Sequence, residues 1–432
     1  MKLWEKGIPT SKLVEQFTVG DDRTYDRALA KYDVLASIAH AKMLGRQSII
    51  SGEESDALVK ALEAYLNTVG QEHFHIEEHF EDIHSKIEAY LIDTLGETGK
   101  KIHTARSRND QVLTAIQLYC KDRLDEVCEK THHFAGVLLH LADTHSSVFM
   151  PGYTHMQVAM PSSFGLWFSA YAETLADDLV SLRAVQHLVD QNPLGSAAGY
   201  GSSFDIDRAF TTKALDFQNL KVNAIAAQMM RGRTELRVVS TLGEVAYSLS
   251  KLANDICLYM GQDFGFVHFP DHITTGSSIM PHKKNPDVFE LIRAKANTLQ
   301  ASRTELSGLL TNLATGYHRD LQLTKPILMN AFDQLTELLE VFSEVLPEIR
   351  VNEALAQNEK YQYIWSVDTL NKWVSEGMPF REAYQKMAQS IDDKSYAPDT
   401  SLKHLHLGSK DQLGLDLIKQ KLDSALQTGR LN

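Results

Sequence analysis

Five long stripes of apolar residues constrain the fold of this chain more than any other feature of its sequence. They occupy residues 110–148, 164–189, 235–260, 292–313 and 328–349, where apolar side chains recur every three, four or seven positions. That spacing places them on one face of an α-helix. Helix breakers are scarce, with 24 Gly and 11 Pro among 432 residues. The sequence therefore predicts an all-α fold with amphipathic helices of roughly 25–40 residues, well above the mean of ~11–12.

The stripes divide the chain into three predicted helical domains. Residues 1–106 contain shorter helical patterns, many charges and a histidine-rich segment. Residues 107–352 hold the five stripes and form the predicted central helix bundle. Residues 353–432 indicate short helices separated by Pro379 and Pro398. Several stripes are wide enough to face more than one neighbour, which favours association of bundles between subunits. The alternative is that each stripe fills this chain's own core.

Composition and charge exclude several classes of protein. A net charge of −13 argues against a general nucleic-acid or membrane-surface binder, although local cationic clusters can still bind a small anionic substrate. No run approaches the ~18 apolar residues of a membrane-spanning helix, and the first residues lack the apolar core of a signal peptide. The cysteines, Cys120, Cys128 and Cys257, are too few for a disulfide framework. We therefore expect a cytoplasmic protein with reduced thiols.

The segment Gly276–Pro286, with the sequence GSSIMPHKKNP, interrupts the helical pattern between the third and fourth stripes. Its Gly and Pro residues oppose helix formation, and it carries two adjacent hydroxyls, two Lys and an Asn. Lys and Asn side chains can hold developing negative charge, and a Ser can accept a proton if its pKa is lowered. The segment favours a mobile loop that closes over a carboxylate-bearing substrate. The alternative is an ordinary solvated loop tip.

Two further segments stand directly before predicted long helices. Arg106–Gln111 places two Arg beside Asn109 and Asp110 at a helix start. The paired N–H donors of the Arg guanidinium groups and the helix dipole both favour binding of a carboxylate there. Asn109 or Asp110 can also cap that helix, and capping is compatible with binding. Gly152–Gln157 contains a Thr-His-x-Gln sequence, which is suited to proton transfer. A lone His in a loop is equally well a structural residue.

Three other patterns point to chemistry that the rest of the sequence does not support. The densest histidine cluster consists of His73, His75, His79 and His84. His75 and His79 have the spacing of zinc ligands on a helix, but no Cys is near and the HExxH order is missing, so we expect a solvated helix start and no metal. His318–Leu321 is similar to a kinase catalytic loop, but Lys325 stands where that loop needs Asn. Gly199–Gly201 lacks the third glycine of a dinucleotide-binding fingerprint.

Taken together, the remaining segments resemble the argininosuccinate lyases, a family within the fumarase/aspartase superfamily. The matching pieces are Lys2–Trp4, Glu81–His84, His103–Gln111, Pro151–Gln157, Asn192–Ser196, the loop Gly276–Pro286 followed by Asp287 and Glu290, and Tyr317–Gln322 followed by Lys325. The loop is a near-complete match to the signature loop of the superfamily. The predicted C-terminal domain carries no matching motif.

The resemblance implies a fold, an assembly and a reaction. The fold would be all-α, and the protein a homotetramer whose central helices form a shared bundle, with no metal and no cofactor. Each active site would take residues from three different subunits. The reaction would be the reversible β-elimination of L-argininosuccinate to L-arginine and fumarate, a step of arginine biosynthesis that passes through a carbanion.

The resemblance also implies roles for individual residues. Ser277 matches the catalytic base, and Lys283 and Asn285 match the residues that stabilise the carbanion. His155 matches the catalytic His, in the role of acid or in a supporting role, and Glu290 matches the carboxylate paired with it. The matches to binders of the succinyl part are Thr154, Arg108 and Asn109, and those to other residues around the substrate are Tyr317, Gln322 and Lys325.

Three positions depart from the family pattern, and so does the segment 197–203, which is unlike the common Gly-Ala-x-Ala-Gly form. His282 stands in the loop where argininosuccinate lyases usually carry Gln, and a His there is similar to adenylosuccinate lyase. Ala105 replaces a usual Gly, and Asp22 stands where a substrate-binding Ser is typical, so we expect the site of the arginine moiety to differ in detail. The alternatives are therefore an adenylosuccinate lyase and a catalytically idle, crystallin-like relative. The segments Arg106–Gln111 and Tyr317–Gln322 favour argininosuccinate as the substrate.

Overall fold

The chain folds mainly into α-helices, as predicted. A computed structural model describes residues 11–71 and 73–427, so the matching segment Lys2–Trp4 lies outside the described residues. In chain order the α-helices are α1 Lys12–Val19, α2 Asp22–Arg46, α3 Gly52–Val69, α4 Ile83–Leu95, α5 Glu97–Lys100, α6 Arg108–Thr144, α7 Phe164–Val189, α8 Arg208–Ala214, α9 Ala224–Gln228, α10 Arg233–Tyr259, α11 Asp287–Leu309, α12 Thr324–Val345, α13 Ser366–Ser375, α14 Phe380–Asp392 and α15 Leu415–Gln427.

Short 3-10 helices and strands occupy the connections. The 3-10 helices are Lys101–His103, Arg319–Leu323, Leu346–Glu348, Glu353–Gln357 and Glu359–Trp365. The strands are β1 Phe149–Thr154, β2 Gln157–Ser163, β3 Gln191–Asn192, β4 Asn219–Leu220, β5 Val267–His268 and β6 Arg350–Val351. β1 pairs with β2 and β5 with β6 in antiparallel fashion, whereas β3 and β4 are parallel. Each sheet of the described chain has two strands, and the all-α class is confirmed.

The five apolar stripes coincide with five long helices. α6 has 37 residues, α7 has 26, α10 has 27, α11 has 23 and α12 has 22. Three of them, α6, α11 and α12, end four residues before their stripes do. Val148 already leads into β1, and Leu313 follows a turn at Asn312, whose φ of 65° is incompatible with a helix. Beyond α12, Pro347 cannot donate a helical hydrogen bond, and the chain continues as a 3-10 turn.

The prediction of only shorter helices in the first 106 residues is wrong for α2, which has 25 residues. Its buried face includes Asp26, Asp33 and His40, spaced by sevens and all essentially inaccessible to solvent. Polar residues at these positions interrupt the apolar stripe by which the other long helices were recognised. The helix therefore has one buried face, although its sequence shows no continuous apolar stripe.

The predicted helix start in the histidine-rich segment is also wrong. Residues 73–82 form turns and extended chain, and α4 begins only at Ile83, after Asp82 accepts a hydrogen bond from the Ser85 N–H. Phe74 and Ile76 alternate with exposed histidines and pack into the core formed with α2, α3 and α4. An inward residue at every second position requires an extended chain, which explains why no helix forms here.

The predicted loop at Gly152–Gln157 is a β-hairpin. β1 and β2 pair up to Thr154 and Gln157, which leaves His155 and Met156 as the two residues of the tip. Both have positive φ, 52° and 60°, as a type I′ turn requires. Because this turn matches the twist of paired strands, the His155 side chain lies at the end of a short, well-defined arm rather than in a flexible connection.

The described chain packs as two compact units. The first comprises residues 11–127 (without residue 72), 181–243 and 299–335; the second comprises residues 128–180, 244–298 and 336–427. The first has its core between α2, α3 and α4, and the second packs the Phe134, Phe289 and Phe342 rings together. The division of the sequence into domains 1–106, 107–352 and 353–432 stays a prediction. None of the described helices carries an apolar stretch long enough to cross a bilayer.

Candidate active site

In the first unit, a charged cleft of about 180 Å³ lies at the first turns of α2, α4, α6 and α12. Its carboxylates are Asp22, Asp26, Glu81 and Asp82, and its cations are Arg108, Arg231, Arg319 and Lys325. Asn109, Tyr317 and Gln322 also line the cleft, so it gathers five of the predicted binding residues. Its volume is below the roughly 300–1,000 Å³ of small-molecule pockets, and it therefore encloses only part of a substrate.

Lys325 lies buried in the first turn of α12 between two carboxylates. Its Nζ is 2.6 Å from Asp26 Oδ1 and 2.7 Å from Asp22 Oδ1. A cation at a helix N-terminus is opposed by the helix dipole, so this burial depends on the two carboxylates. Burial disfavours the charged form, but Asp26 and Asp22 outweigh it and raise the pKa of Lys325. The predicted contact of Lys325 with substrate stays a prediction.

Arg108 and Arg319 share the carboxylate of Glu81. Arg108 Nη1 lies 3.0 Å from Glu81 Oε2 and Arg319 Nη2 lies 3.0 Å from Glu81 Oε1. Arg108 is also 3.2 Å from Asp82 Oδ2, and its Nη2 donates to Ser85 Oγ at 2.9 Å. Burial opposes ionisation of Glu81, but hydrogen bonds from Arg319 and Arg108 lower its pKa. These contacts hold the Arg108 guanidinium in one orientation at the edge of the cleft.

A buried ion pair supports the cleft at the start of α4. His84 Nδ1 lies 2.9 Å from Asp33 Oδ2, and Gln111 Nε2 donates to Asp33 Oδ1 at 2.8 Å. Burial opposes the charge of each partner. The attraction of Asp33 nevertheless raises the pKa of His84, and the attraction of His84 lowers the pKa of Asp33. Both shifts favour the charged form of the pair.

Asp110, rather than Asn109, ties down the start of α6. Its Oδ1 accepts from the Ser107 N–H at 2.9 Å, and its Oδ2 accepts from the N–H groups of Gly195 and Ala197, each at 2.9 Å. Within residues 11–71 and 73–427 the Asn109 side chain has no hydrogen-bond partner, although it lines the cleft. Its amide is therefore available to a ligand, whereas Asp110 is structural.

The second unit holds the other predicted set of residues. These are Thr154, His155, Ser277, Lys283, Asn285 and Glu290. They lie on three pieces of the unit: the hairpin tip, the loop Gly276–Pro286 (the signature loop) and the first turn of α11. The structure thus sorts the predicted site residues into a charged cleft in one unit and a set of largely exposed side chains in the other.

The signature loop is fixed at its base and exposed at its tip. The Asn285 N–H donates to Thr275 O at 2.8 Å, the reverse bond measures 3.3 Å, and Asn285 Nδ2 donates to Gly276 O at 3.3 Å. Beyond this bridge, the rings of Phe269 and Phe289 pack with centroids 4.6 Å apart. Ile279 at the tip is 82% exposed. A firm base and an open tip are the properties of a loop that closes over a site.

Ser277 and Lys283 differ from their immediate neighbours in ways that suit chemistry. Ser277 Oγ accepts from the N–H groups of Ile279 at 3.4 Å and Met280 at 3.2 Å. Donors aimed at a hydroxyl oxygen stabilise its ionised form and so favour loss of its proton. Lys284 forms an ion pair with Asp271. Lys283 has no carboxylate partner in the described chain, and its charge is available to a ligand.

The predicted pair of His155 and Glu290 is not formed within this chain. Both side chains are exposed, and within the described ranges neither makes a hydrogen bond or an ion pair. The hairpin that carries His155 rests on aromatic packing, with the Tyr153 ring 5.5 Å from that of Phe264 and 6.1 Å from that of Phe266. Glu290 lies in the first turn of α11. Their pairing stays a prediction.

The histidine cluster provides no metal site in the part of the chain that the structure describes. No group of three or more His, Cys, Asp or Glu side chains suited to hold a metal ion occurs there. His73, His75 and His79 lie in the turns and extended chain before α4, and His84 is buried against Asp33.

Comparison with known proteins places the chain in a family. A sequence family described as "Lyase" matches residues 5–300. Proteins named argininosuccinate lyase from Phocaeicola vulgatus and Bacteroides thetaiotaomicron are 46% and 47% identical to this chain over 418 and 417 residues. The alignments cover 97% and 96% of this chain, and 94% of each relative. The chain belongs to the argininosuccinate lyase family.

Solved structures agree with membership of the argininosuccinate lyase family at the level of the fold. EDDS lyase in complex with formate superposes with a TM-score of 0.78 at 21% identity, covering 98% of this chain and 92% of that one. A class II fumarase from Schistosoma mansoni superposes with a TM-score of 0.72 at 18% identity, covering 96% and 94%. The resemblance inferred from the sequence motifs is therefore confirmed for family and fold.

Sequence reasoning on this argininosuccinate lyase family member missed the residues that hold the charged cleft together. Asp26 and Arg319 received no role, although they pair with Lys325 and Glu81. A signal was present in α2, where an acidic residue at position 26 falls on the face that points into the core. A charged residue at a buried helical position needs a partner, and that requirement identifies such residues as parts of a network.

The His84–Asp33 pair yields a prediction for stability as a function of pH. The folded-state pKa of His84 lies above its unfolded value of about 6.5, so the pair's contribution is complete below that pH and is lost as pH rises through the folded-state value. Asp33→Asn should therefore lower the melting temperature more at pH 6 than at pH 9. Where the pair is charged, we expect the free energy of unfolding to fall by about 3–5 kcal/mol. Asp56→Asn, at an exposed position of α3, is the control. If Asp33→Asn lowered the melting temperature equally at pH 6 and pH 9, the raised pKa of His84 would be contradicted.

Proposed function

We propose that this protein catalyses the reversible elimination of L-argininosuccinate to L-arginine and fumarate, in arginine biosynthesis. The observation that carries the proposal is the 46–47% identity to argininosuccinate lyases over almost the whole chain. The geometry supports it, because every side chain that the reaction requires is present. The binding residues line the charged cleft, and the reactive residues lie on the signature loop and the hairpin tip.

The first chemical step is removal of a proton from the succinyl carbon next to a carboxylate. Ser277 in its ionised form takes this proton, and the electron pair left on carbon delocalises into the carboxylate. The N–H groups of Ile279 and Met280 support this role, because they stabilise negative charge on Ser277 Oγ. Such a carbon acid is very weak, so the site must also stabilise the charge that accumulates on the carboxylate.

Lys283 and Asn285 are suited to hold that charge. Lys283 has no competing carboxylate in the described chain, and Asn285 is held at the base of the signature loop by its own backbone pairing. A positioned donor of this kind contributes about 3 kcal/mol to transition-state stabilisation. Closure of the loop would exclude water and bring both donors and Ser277 to the substrate in one movement.

In the second step, the bond between the succinyl carbon and the guanidino nitrogen breaks. The carbanion's electron pair forms the double bond of fumarate, and the pair of the broken bond goes to nitrogen, which receives a proton. We assign His155, paired with Glu290, to this protonation or to its support. In the charged cleft, Arg108 and Asn109 bind the succinyl carboxylates, while Tyr317, Gln322 and Lys325 surround the rest of the substrate. We assign Thr154, on the hairpin of the second unit, to the succinyl part as well.

We further propose that the protein is a homotetramer whose sites combine residues of different subunits, and that it acts in the cytoplasm. Two observations support shared sites: His155 and Glu290 have no partner within the described chain, and the charged cleft is too small for a whole substrate. Exposed apolar residues on the long helices support association. Leu291 of α11 is 61% exposed and Tyr247 of α10 is 59% exposed.

The substrate is tested by mixing the purified protein with argininosuccinate or adenylosuccinate and following fumarate release by its absorbance. We expect release from argininosuccinate only. Turnover of adenylosuccinate alone would favour the alternative suggested by His282, which is exposed in the signature loop. A folded protein that releases fumarate from neither compound would be the catalytically idle relative.

The base is tested by Ser277→Ala, which should lower kcat about a hundredfold or more while the fold is kept, because loss of a proton-transfer group has effects of this size. Ser278→Ala is the matched control, since Ser278 is the adjacent hydroxyl and is exposed. We expect the control to retain most of the activity. The reverse outcome, with Ser278→Ala inactive and Ser277→Ala active, would move the base by one residue.

Shared sites are tested by mixing two inactive variants. His155→Asn and Ser277→Ala are each unfolded, mixed in equal amounts and refolded together. If a site takes these residues from different subunits, random mixing should restore about a quarter of the wild-type activity, because one site in four receives both intact residues. Each variant refolded alone is the control. If the mixture stays as inactive as the controls, the two residues come from the same subunit.

A further inference from the structure

The end of the charged cleft around Lys325 contains more negative than positive charge. Lys325 is paired with both Asp22 and Asp26. Arg231, the other cation that acts on Lys325, is 3.1 Å from Glu235 Oε1 and is matched by that carboxylate. Three carboxylates therefore face two cations. A cleft end with this balance attracts a positive group of a ligand, not a further carboxylate.

Only one of these carboxylates can accept a hydrogen bond from a ligand. Asp26 is fully buried, with Oδ1 on Lys325 and Oδ2 accepting from the Ile83 N–H at 3.3 Å. Glu235 is likewise buried, and it accepts from Gly232 and Thr324.

Asp22 differs from the other two. It uses Oδ1 for Lys325, while its Oδ2 meets no donor in residues 11–71 and 73–427, and its side chain is 16% exposed on the cleft wall.

A second acceptor lines the same cleft. Gln322 Nε2 donates to the carbonyl oxygens of Thr18 and Val19, each at 3.0 Å. Both partners are acceptors, so the amide nitrogen must face them and the Gln322 Oε1 oxygen is the group left for a ligand. An ammonium group carries three N–H donors and no acceptor, which suits a cleft that offers both a carboxylate oxygen and an amide oxygen.

We propose that Asp22 is a specificity residue that binds the α-ammonium group of the arginine half of the substrate. This inference rests on the proposed function and deepens it, because it orients the amino-acid end of arginine in the cleft. Lys325 then acts on Asp22 as a positioning residue, holding one carboxylate oxygen so that the other faces the ligand. A ligand without the ammonium group loses this contact and leaves the cleft end with unmatched negative charge.

The proposal is tested by the dissociation constants of three ligands, measured by calorimetry on the full-length wild type and on Asp22→Asn. L-Arginine has both α-groups, agmatine lacks the carboxylate, and 5-guanidinopentanoate lacks the ammonium. We expect Asp22→Asn to weaken the binding of arginine and of agmatine about tenfold to a hundredfold. This is the range that the loss of a charge-assisted hydrogen bond produces. Binding of 5-guanidinopentanoate should change by less than about threefold, because it makes no such contact. Asp21→Asn, at the exposed neighbouring position, should leave all three unchanged.

Two outcomes would overturn the proposal without touching the proposed function. One is an equal loss of affinity for all three ligands in Asp22→Asn, which would mean that Asp22 only supports Lys325. The other needs no variant: a wild type that cleaves argininosuccinate but binds arginine and 5-guanidinopentanoate equally well does not recognise the ammonium. A wild type that neither releases fumarate from argininosuccinate nor binds arginine would refute both the proposed function and the role of Asp22.

Discussion

The pairing of buried charges at four helix starts is the constraint on which the first unit depends. Lys325 in α12 is held by Asp22 and Asp26 of α2, and Arg108 in α6 is held by Glu81 and Asp82 before α4. An unpaired buried charge costs several kcal/mol, so displacement of any one of these helices would be opposed by the others. The cleft is rigid because its charges can be satisfied only in this arrangement.

The predicted reactive residues of the second unit are exposed instead of buried. Ser277, Lys283 and His155 lie on short turns with few contacts of their own, while aromatic packing and backbone pairing fix the bases of those turns. Exposed side chains on a fixed base can be aligned by closure or by a neighbouring subunit without breaking a core. This division suits the proposed elimination, which needs firm binding of a charged substrate and a base that arrives only when water is excluded.

The sequence was sufficient where one physical signal dominates. Apolar periodicity located the long helices, and the signature loop revealed the chemistry because its residue types are unusual in combination. It failed where two signals compete. In α2, Asp33 and His40 hide the apolar face of a long helix, and around His75 the helical spacing of histidines concealed the alternation of inward Phe74 and Ile76. The tip at His155 needs positive φ, which Asn or Gly would have indicated more clearly.

The sequence by itself determined the all-α class, the family and the residue types that carry the chemistry, because periodicity and motif composition are local properties of the chain. Only the tertiary structure decided which charges neutralise one another. Lys325 and Asp22 are 303 positions apart in the sequence, so nothing local could reveal that they form an ion pair. That pairing gives the predicted substrate-binding lysine two carboxylate partners within the chain, because the surroundings of a buried charge depend on its neighbours in space.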